Sequence, residues 1–319
     1  MSGARIVALS GGVGGAKLSL GLYRVLPPHA LAVIINTGDD FDHLGLRICP
    51  DIDTTLYTLA GLANRELGWG RADESWAFME TLAALGGESW FRLGDRDLAL
   101  HVERTRRLKA GETLSSFTQD SARRLAIEAA LIPMSDAPVR TRVSSSAGEL
   151  DFQDYFVRRR CEPRVSALHF EGAAQAPAAP QALAALADPQ LEAIILCPSN
   201  PYLSIDPILA IPGLRQALQQ AQAPVIAVTP LVGGRAVKGP TAKIMAELGV
   251  PLSAAAVAAH YGTLIDGFVL DRTDAAQQAE FTCRVHVADT VMVTLEDRER
   301  LARETLDFAR TLPMARAHR

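Results

Sequence analysis

Hydrophobic positions in this chain gather into short unbroken runs, and most of these runs end in glycines, prolines or acids. Ile6-Val7-Ala8-Leu9, Leu31-Ala32-Val33-Ile34-Ile35, Leu191 to Cys197, Pro224 to Thr229, Gly267 to Leu270 and Thr282 to Ala288 all read this way. A strand that is apolar on both faces is covered on both faces, the habit of parallel sheets. Stretches with Leu and Ala at helical spacing lie between the runs, beginning with Leu18, Leu22 and Leu26. Strand–helix–strand successions of this size predict parallel pairing through right-handed crossovers. The expected fold is α/β: a doubly wound, mainly parallel Rossmann-like sheet in one large domain over residues 1–319. Residues 1–60 and 190–319 form its nucleotide-binding core.

The middle of the chain breaks this rhythm. Helices are expected over Leu56 to Leu67, over Trp69 to Gly87 with Trp76, Phe78, Met79, Leu82 and Leu85 inward, and over Leu98 to Leu108. Another runs from Ser115 to Ala130, capped by Ser115 or Ser116. Val139 to Val143 and Glu149 to Phe152 flank Ser144-Ser145-Ser146-Ala147-Gly148 as a hairpin, and Arg164 to Phe170 is one more strand. Together they predict an inserted helical and hairpin subdomain over about 61–172, forming the acceptor side of the site. The Ala-, Pro- and Gln-rich stretch Gly172 to Ala182 reads as a linker. A last helix, Glu296 to Leu312, should turn Leu295, Leu301, Leu306 and Phe308 inward.

Composition narrows the classes. The net charge is −4 with no long block of like charges, so no nucleic acid is expected as partner. Arg158-Arg159-Arg160 and the group Arg104, Arg106 and Arg107 read as solvated faces. There is no apolar run of membrane-spanning length and no leader pattern, so no membrane partner is expected and the protein should be soluble and cytoplasmic. Cys49, Cys161, Cys197 and Cys283 are too scattered for a zinc site or a disulfide framework.

The candidate chemistry begins where the first strand meets Ser10-Gly11-Gly12-Val13-Gly14-Gly15-Ala16-Lys17. Glycines let backbone N–H groups crowd round an anion, and a helix start adds its positive dipole end. A nucleotide phosphate is the natural guest, held by Gly11, Gly12, Gly14 and Lys17. Ala16 and Leu18 flank Lys17, so the usual P-loop hydroxyl for magnesium is missing, and Lys17 stands where a dinucleotide fingerprint wants its third glycine. A turn that merely packs helix against strand is the competing reading. The second strand ends in Gly38-Asp39-Asp40-Phe41-Asp42-His43, followed by Pro50-Asp51-Ile52-Asp53-Thr54. Carboxylates facing a polyphosphate need a cation between, and Mg2+ takes such oxygens. So many carboxylates are more than helix capping requires and invite a metal or a ligand hydroxyl. Farther on, Ser199 and Asn200, and Lys238, Gly239 or Lys243, follow strand ends where they can face a nucleotide. His260 and His286 stand alone and read as structural residues. Arg92-Leu93-Gly94-Asp95-Arg96-Asp97 reads either as a capped helix start with surface ion pairs or as part of the site.

Taken in order, these motifs, with Asn36-Thr37, Leu131-Ile132-Pro133-Met134-Ser135-Asp136, Pro198-Ser199-Asn200-Pro201 and Gly239-Pro240, resemble the 2-phospho-lactate transferase family of coenzyme F420 biosynthesis. The likeness spans essentially the whole chain. It implies transfer of a phosphorylated three-carbon acid from a guanosine-diphospho donor to the ribityl hydroxyl of the deazaflavin Fo. GMP is released with the help of Mg2+. The acid is phospholactate, phosphoenolpyruvate or phosphoglycerate. Asp53 and Arg92 stand at the family's Fo-contacting positions, with His43 and Thr54 beside them; on this resemblance Asp39, Asp40 and Asp53 are the expected catalytic set, Asp40 and Asp53 are the expected metal residues, and a homodimer is implied. A second group shares the glycine loop and the second-strand acids: nucleotide-sugar-binding regulators of gluconeogenesis and morphogenesis. They carry a glycine- and serine-rich run where this chain has Phe41-Asp42-His43-Leu44, and lack a clear counterpart of the Arg92 to Asp97 motif. A non-enzymatic regulator is therefore the alternative.

Overall fold

The computed structural model describes residues 5–64, 70–237 and 239–314. In chain order the strands are β1 (Ile6–Ser10), β2 (Leu31–Ile35), β3 (Phe41–His43), β4 (Leu46–Ile48), β5 (Ala130–Pro133), β6 (Arg140–Ser145) and β7 (Gly148–Asp151). They continue with β8 (Val165–Glu171), β9 (Ala193–Leu196), β10 (Val225–Val228), β11 (Leu231–Val232), β12 (Arg235–Ala236), β13 (Gly267–Asp271) and β14 (Arg284–Ala288). The helices are α1 (Gly12–Val25), α2 (Pro50–Leu59), α3 (Ala77–Ala84), α4 (Asp95–Lys109), α5 (Leu114–Arg124) and α6 (Pro180–Leu186). After them come α7 (Asp206–Leu209), α8 (Pro212–Gln220), α9 (Thr241–Glu247), α10 (Ala254–Tyr261) and α11 (Leu295–Arg310).

Seven strands form one sheet in the order β14-β13-β10-β9-β1-β2-β5, with every neighbouring pair parallel. Both faces are covered, as the unbroken apolar runs require. Along β1, Ile6 and Ala8 join Leu18, Leu22, Ile52, Leu56 and Leu301 on one face. Val7 and Leu9 join Ile194, Leu196, Ile208 and Leu214 on the other. Full burial of one such Leu or Ile contributes roughly 1.5–3 kcal/mol, so the two-layer cover outweighs any single polar contact described below.

Two insertions extend this frame. Between β2 and β5 lie the antiparallel hairpin β3–β4 and helices α2 to α5, with a small core of Ile48, Met79 and Leu93. Between β5 and β9 lies an antiparallel sheet of order β7-β6-β8.

Several boundaries differ from expectation for identifiable reasons. Helix α2 starts at Pro50, the favoured first-turn place for proline, so Asp51 and Asp53 sit inside its first turn and not before it. The helix expected over Trp69 to Gly87 holds only as α3, and Leu85 is 81% exposed beyond its end. The helix expected over Leu56 to Leu67 instead ends at Leu59 with Ala60 as its cap, while residues 65–67 and Trp69 lie outside the described residues. Thr113, not Ser115 or Ser116, caps α5 by accepting from the Ser116 N–H at 3.1 Å, and Ala130 already belongs to β5. The expected linker 172–182 is packed: Ala173, Ala176, Ala179 and Ala182 are buried, because small side chains let this backbone lie against the core. Leu295 is exposed at the start of α11. Arg104, read as solvated, is fully buried, whereas Arg106 is exposed and ion-pairs with Glu103.

Candidate active site

Strand β1 stands between β2 and β9, and the chain leaves it in one direction to β5 and in the other to β14. Where strand order reverses, the carboxyl ends of the strands diverge and leave a crevice. The glycine turn occupies that crevice. Gly12 has φ +62°, a left-handed conformation that suits glycine, and α1 begins there behind Gly11, an N-cap residue with no side chain of its own to cap the helix.

Two side chains bolt the turn in place. Ser199, just after β9, accepts from the Gly11 N–H at 3.2 Å and donates to the Gly11 carbonyl at 2.8 Å. Asp51 accepts from the Gly12 N–H at 2.7 Å and from Asn36 Nδ2 at 2.9 Å. The glycines thus pack this turn closely against its neighbours. Gly11 and Gly12 shape the turn, while a Cβ on Gly14 or Gly15 would collide with the Pro198 carbonyl oxygen or with the Ser10 and Ser199 hydroxyls.

A cavity of about 610 Å3 opens from this turn. Gly11, Gly12, Gly14, Lys17, Ser199, Asn200 and Gly239 line its core side, with Asp39, Asp51, Asp53 and Thr54 beside them. Trp90, Phe91, Arg92, Phe152 and Phe156 line it from the insertions. Lys17 is steadied by donating to the Met292 carbonyl at 2.8 Å. Asn200 Oδ1 accepts from the N–H groups of Tyr202 and Leu203, leaving its buried Nδ2 without a partner.

Not every expected residue reaches the cavity. Asp40 and His43 are buried but do not line it. His43 packs edge-on against Trp90, ring centres 5.1 Å apart, and so backs the aromatic wall. Lys243 turns to Glu247 at 2.6 Å and the Pro163 carbonyl at 3.0 Å, and does not line the cavity either. Lys238 lies outside the described residues. His260 pairs with Asp206 at 2.8 Å.

Arg92 stacks on Trp76, its guanidinium carbon 4.0 Å from the ring centre. That stretch is fixed by mutual capping. Asp95 accepts from the N–H groups of Ala77 and Phe78 at the start of α3, and Glu74 accepts from those of Arg96 and Asp97 at the start of α4.

Sequence reasoning offered Asp97 only within the Arg92 to Asp97 motif and missed His101 and the buried place of Arg104 on the same face of α4. Asp97, His101 and Arg104 stand three and four residues apart, so one helix face turns all of them toward Asp53 and Tyr57 of α2. Tyr57 donates to Asp97 at 2.6 Å, and His101 lies 3.2 Å from Asp97 and 3.6 Å from Asp53. The Arg104 guanidinium grips both Asp53 oxygens. The spacing was legible as a polar stripe; its partner helix was not.

Asp39, Asp40, Asp51 and Asp53 are all at least 92% buried, and the charge of the buried Arg104 guanidinium bears on Asp40 and Asp53. Burial, with the charge of Asp51, holds Asp39 well above the usual carboxylate range. Burial lifts Asp40 to about 7 despite Cys49 and Arg104, and Asp51 to about 6 despite Asn36 and Gly12. Burial also raises Asp53 against the pull of Arg104 and His101. This excess of buried acid is suited to a divalent cation. Asp39 Oδ1 is buried without a partner, and Asp53, Asp97 and His101 place one ligand atom each within 4.8 Å of one another. The residues fit such an ion, although Asp40 is not in that group.

Residues 6–310 match the family model described as 2-phospho-L-lactate transferase CofD. The chain belongs to this family. Relatives called phosphoenolpyruvate transferase include one from Streptomyces coelicolor, 44% identical over 319 residues and covering 96% of this chain and 98% of the relative. One from Streptomyces griseus is 42% identical over 314 residues with the same coverage. One from Mycobacterium tuberculosis is 39% identical over 287 residues, covering 84% and 86%. A solved UPF0052-family structure from Bacillus halodurans shares the fold, with TM-score 0.62 at 13% identity over 96% of this chain and 99% of that one. CofD-family membership makes the chain a transferase and sets aside the non-enzymatic regulator. Among the described residues no helix is long and apolar enough to cross a membrane.

Proposed function

We propose that this CofD-family transferase moves a phosphorylated three-carbon acid from a guanosine-diphospho donor to the terminal ribityl hydroxyl of Fo, releasing GMP in coenzyme F420 biosynthesis. One cavity that joins a glycine turn, a bank of buried acids and an aromatic wall carries this reading. The names of the relatives favour phosphoenolpyruvate as the acid. The reaction is cytoplasmic, and a homodimer is the expected assembly.

The chemistry asks mainly for in-line positioning and charge neutralisation. The hydroxyl oxygen bonds to the donor's β-phosphorus as the bridge to the α-phosphate breaks, and the bridging oxygen leaves on GMP. The first turn of α1 and Lys17 hold the diphosphate, with Ser199, Asn200 and Gly239 on the nucleoside. Asp53 orients the attacking hydroxyl and takes its proton as the bond to phosphorus forms, with Thr54 beside it. Arg92, braced by Trp76, meets the deazaflavin between Phe91 and Phe156. A bound Mg2+ would supply charge neutralisation at the diphosphate, held by Asp53 and Asp97 with His101. Asp40 and His43 support these groups from behind the cavity wall.

Mass spectrometry of products formed from Fo, each of the three guanosine-diphospho acids and Mg2+ tests the reading. Absence of any Fo-linked product, together with no heat on titrating GDP, would sink it. Asp53→Asn should lower kcat about a hundredfold, in the range for removing one positioned acid–base group, as read by labelled-donor transfer. Trp76→Ala should raise KM for Fo about three- to tenfold and spare KM for the donor, the size of a lost cation–π brace. Equal effects on both substrates would remove Trp76 from that role.

A further inference from the structure

Helix α4 reaches the site through Asp97 and His101, which line the cavity, and through Arg104, which does not. Arg104 is 0% exposed. Its guanidinium is held on three sides: by both oxygens of Asp53, by the Arg47 carbonyl at 3.1 Å, and over the Phe117 ring at 5.4 Å. A buried ion pair contributes little stability over a well-packed apolar pair of the same volume, so stability alone does not explain it. What it does supply is orientation. Asp53 shares the first turn of α2 with Asp51, which grips the Gly12 N–H. Through Asp53, the inserted helix α4 is thus registered against the glycine turn of the core.

We propose that Arg104 is a positioning residue of the transfer reaction: clamped between α4 and α2, it fixes the Asp53 carboxylate at the junction of donor and acceptor without touching either. The inference rests on the function proposed above and adds a residue to it.

A double-mutant cycle tests this, with kcat, KM and GDP calorimetry measured on the full chain. Arg104→Met should lower kcat about ten- to a hundredfold, leaving donor KM and GDP affinity within about twofold. Arg104→Lys should recover part of the loss, because an ammonium can hold one Asp53 oxygen but not both. In the Asp53→Asn background, Arg104→Met should cost less than about twofold, since the group it positions is already gone. Additive losses, or a fall in GDP affinity that tracks kcat, would show a merely structural role and overturn the inference. If Arg104→Met alone fails to fold, the Asp53→Asn/Arg104→Met pair removes both charges of this ion pair and must match Asp53→Asn in kcat, or the inference falls. A parent chain that neither binds GDP nor modifies Fo overturns the proposed function, and this inference with it. An active parent with an additive cycle overturns the inference alone.

Discussion

Alanine at Gly14 is expected to destabilise the chain and to abolish guanine-nucleotide binding, although helix propensity by itself argues the opposite. Gly14 lies in the first turn of α1, where Gly→Ala would ordinarily gain up to about 1 kcal/mol. Its new Cβ, however, would meet the Pro198 carbonyl oxygen, a backbone atom at the end of β9. That backbone cannot swing aside cheaply, because the next residue, Ser199, is tied to Gly11 in both directions. Overpacking of this kind costs typically about 1–3 kcal/mol and occasionally more, and here the strain falls on the switch point itself, so a net loss of about 2 kcal/mol is expected. Gly213 in α8 is the control: its nearest neighbour would be 3.5 Å from an added Cβ, so Gly213→Ala should be neutral or stabilising. Denaturant unfolding and GDP titration of both variants provide the check. A Gly14→Ala protein as stable as its parent and still binding GDP would refute the close-packing account of the turn.

Acidification from pH 8 to pH 5 without divalent cations should stabilise the fold. Unfolded aspartates titrate near 3.9, whereas burial sets Asp40 at about 7 and Asp51 at about 6 in the native chain. Between those limits the native state takes up protons that the unfolded state does not, so stability falls as pH rises. Across this window Asp40 and Asp51 together amount to on the order of 4 kcal/mol, with Asp39 and Asp53 acting in the same direction. His43 opposes them below about pH 6.5, because burial holds its ring neutral while the unfolded imidazole charges. Exposed acids with lowered values, such as Asp120 among its arginines, lose their contribution only below about pH 4, outside the window. Mg2+ should flatten the slope by holding the carboxylates ionised, and Asp40→Asn should remove part of it. Thermal melts across this range, with and without Mg2+, supply the measurement; a slope of the opposite sign would refute the account.

Much of this molecule was legible before any coordinates. Ile6 to Leu9 and Leu31 to Ile35 announce buried parallel strands because nothing polar interrupts them, and the glycines after β1 announce a tight strand-to-helix turn. The acids of residues 39–53 were legible as a group. Their division of labour was not: Asp51 clasps Gly12, Asp53 faces Arg104, and Asp40 turns away from the cavity. Arg104 was misread because a basic residue in a basic stretch is ordinarily solvated, and only the approach of α2 gives it a buried partner.

The sequence by itself determined the local elements and their sidedness, since apolar runs, proline at a helix start and glycine at positive φ act within a few residues of themselves. The tertiary structure alone decided which side chains share the crevice. Asp51 and Ser199 meet the glycine turn across 39 and 188 residues of chain, counted from Gly12 and from Gly11 respectively. Pairings at such range depend on strand order and helix docking, which no local pattern encodes.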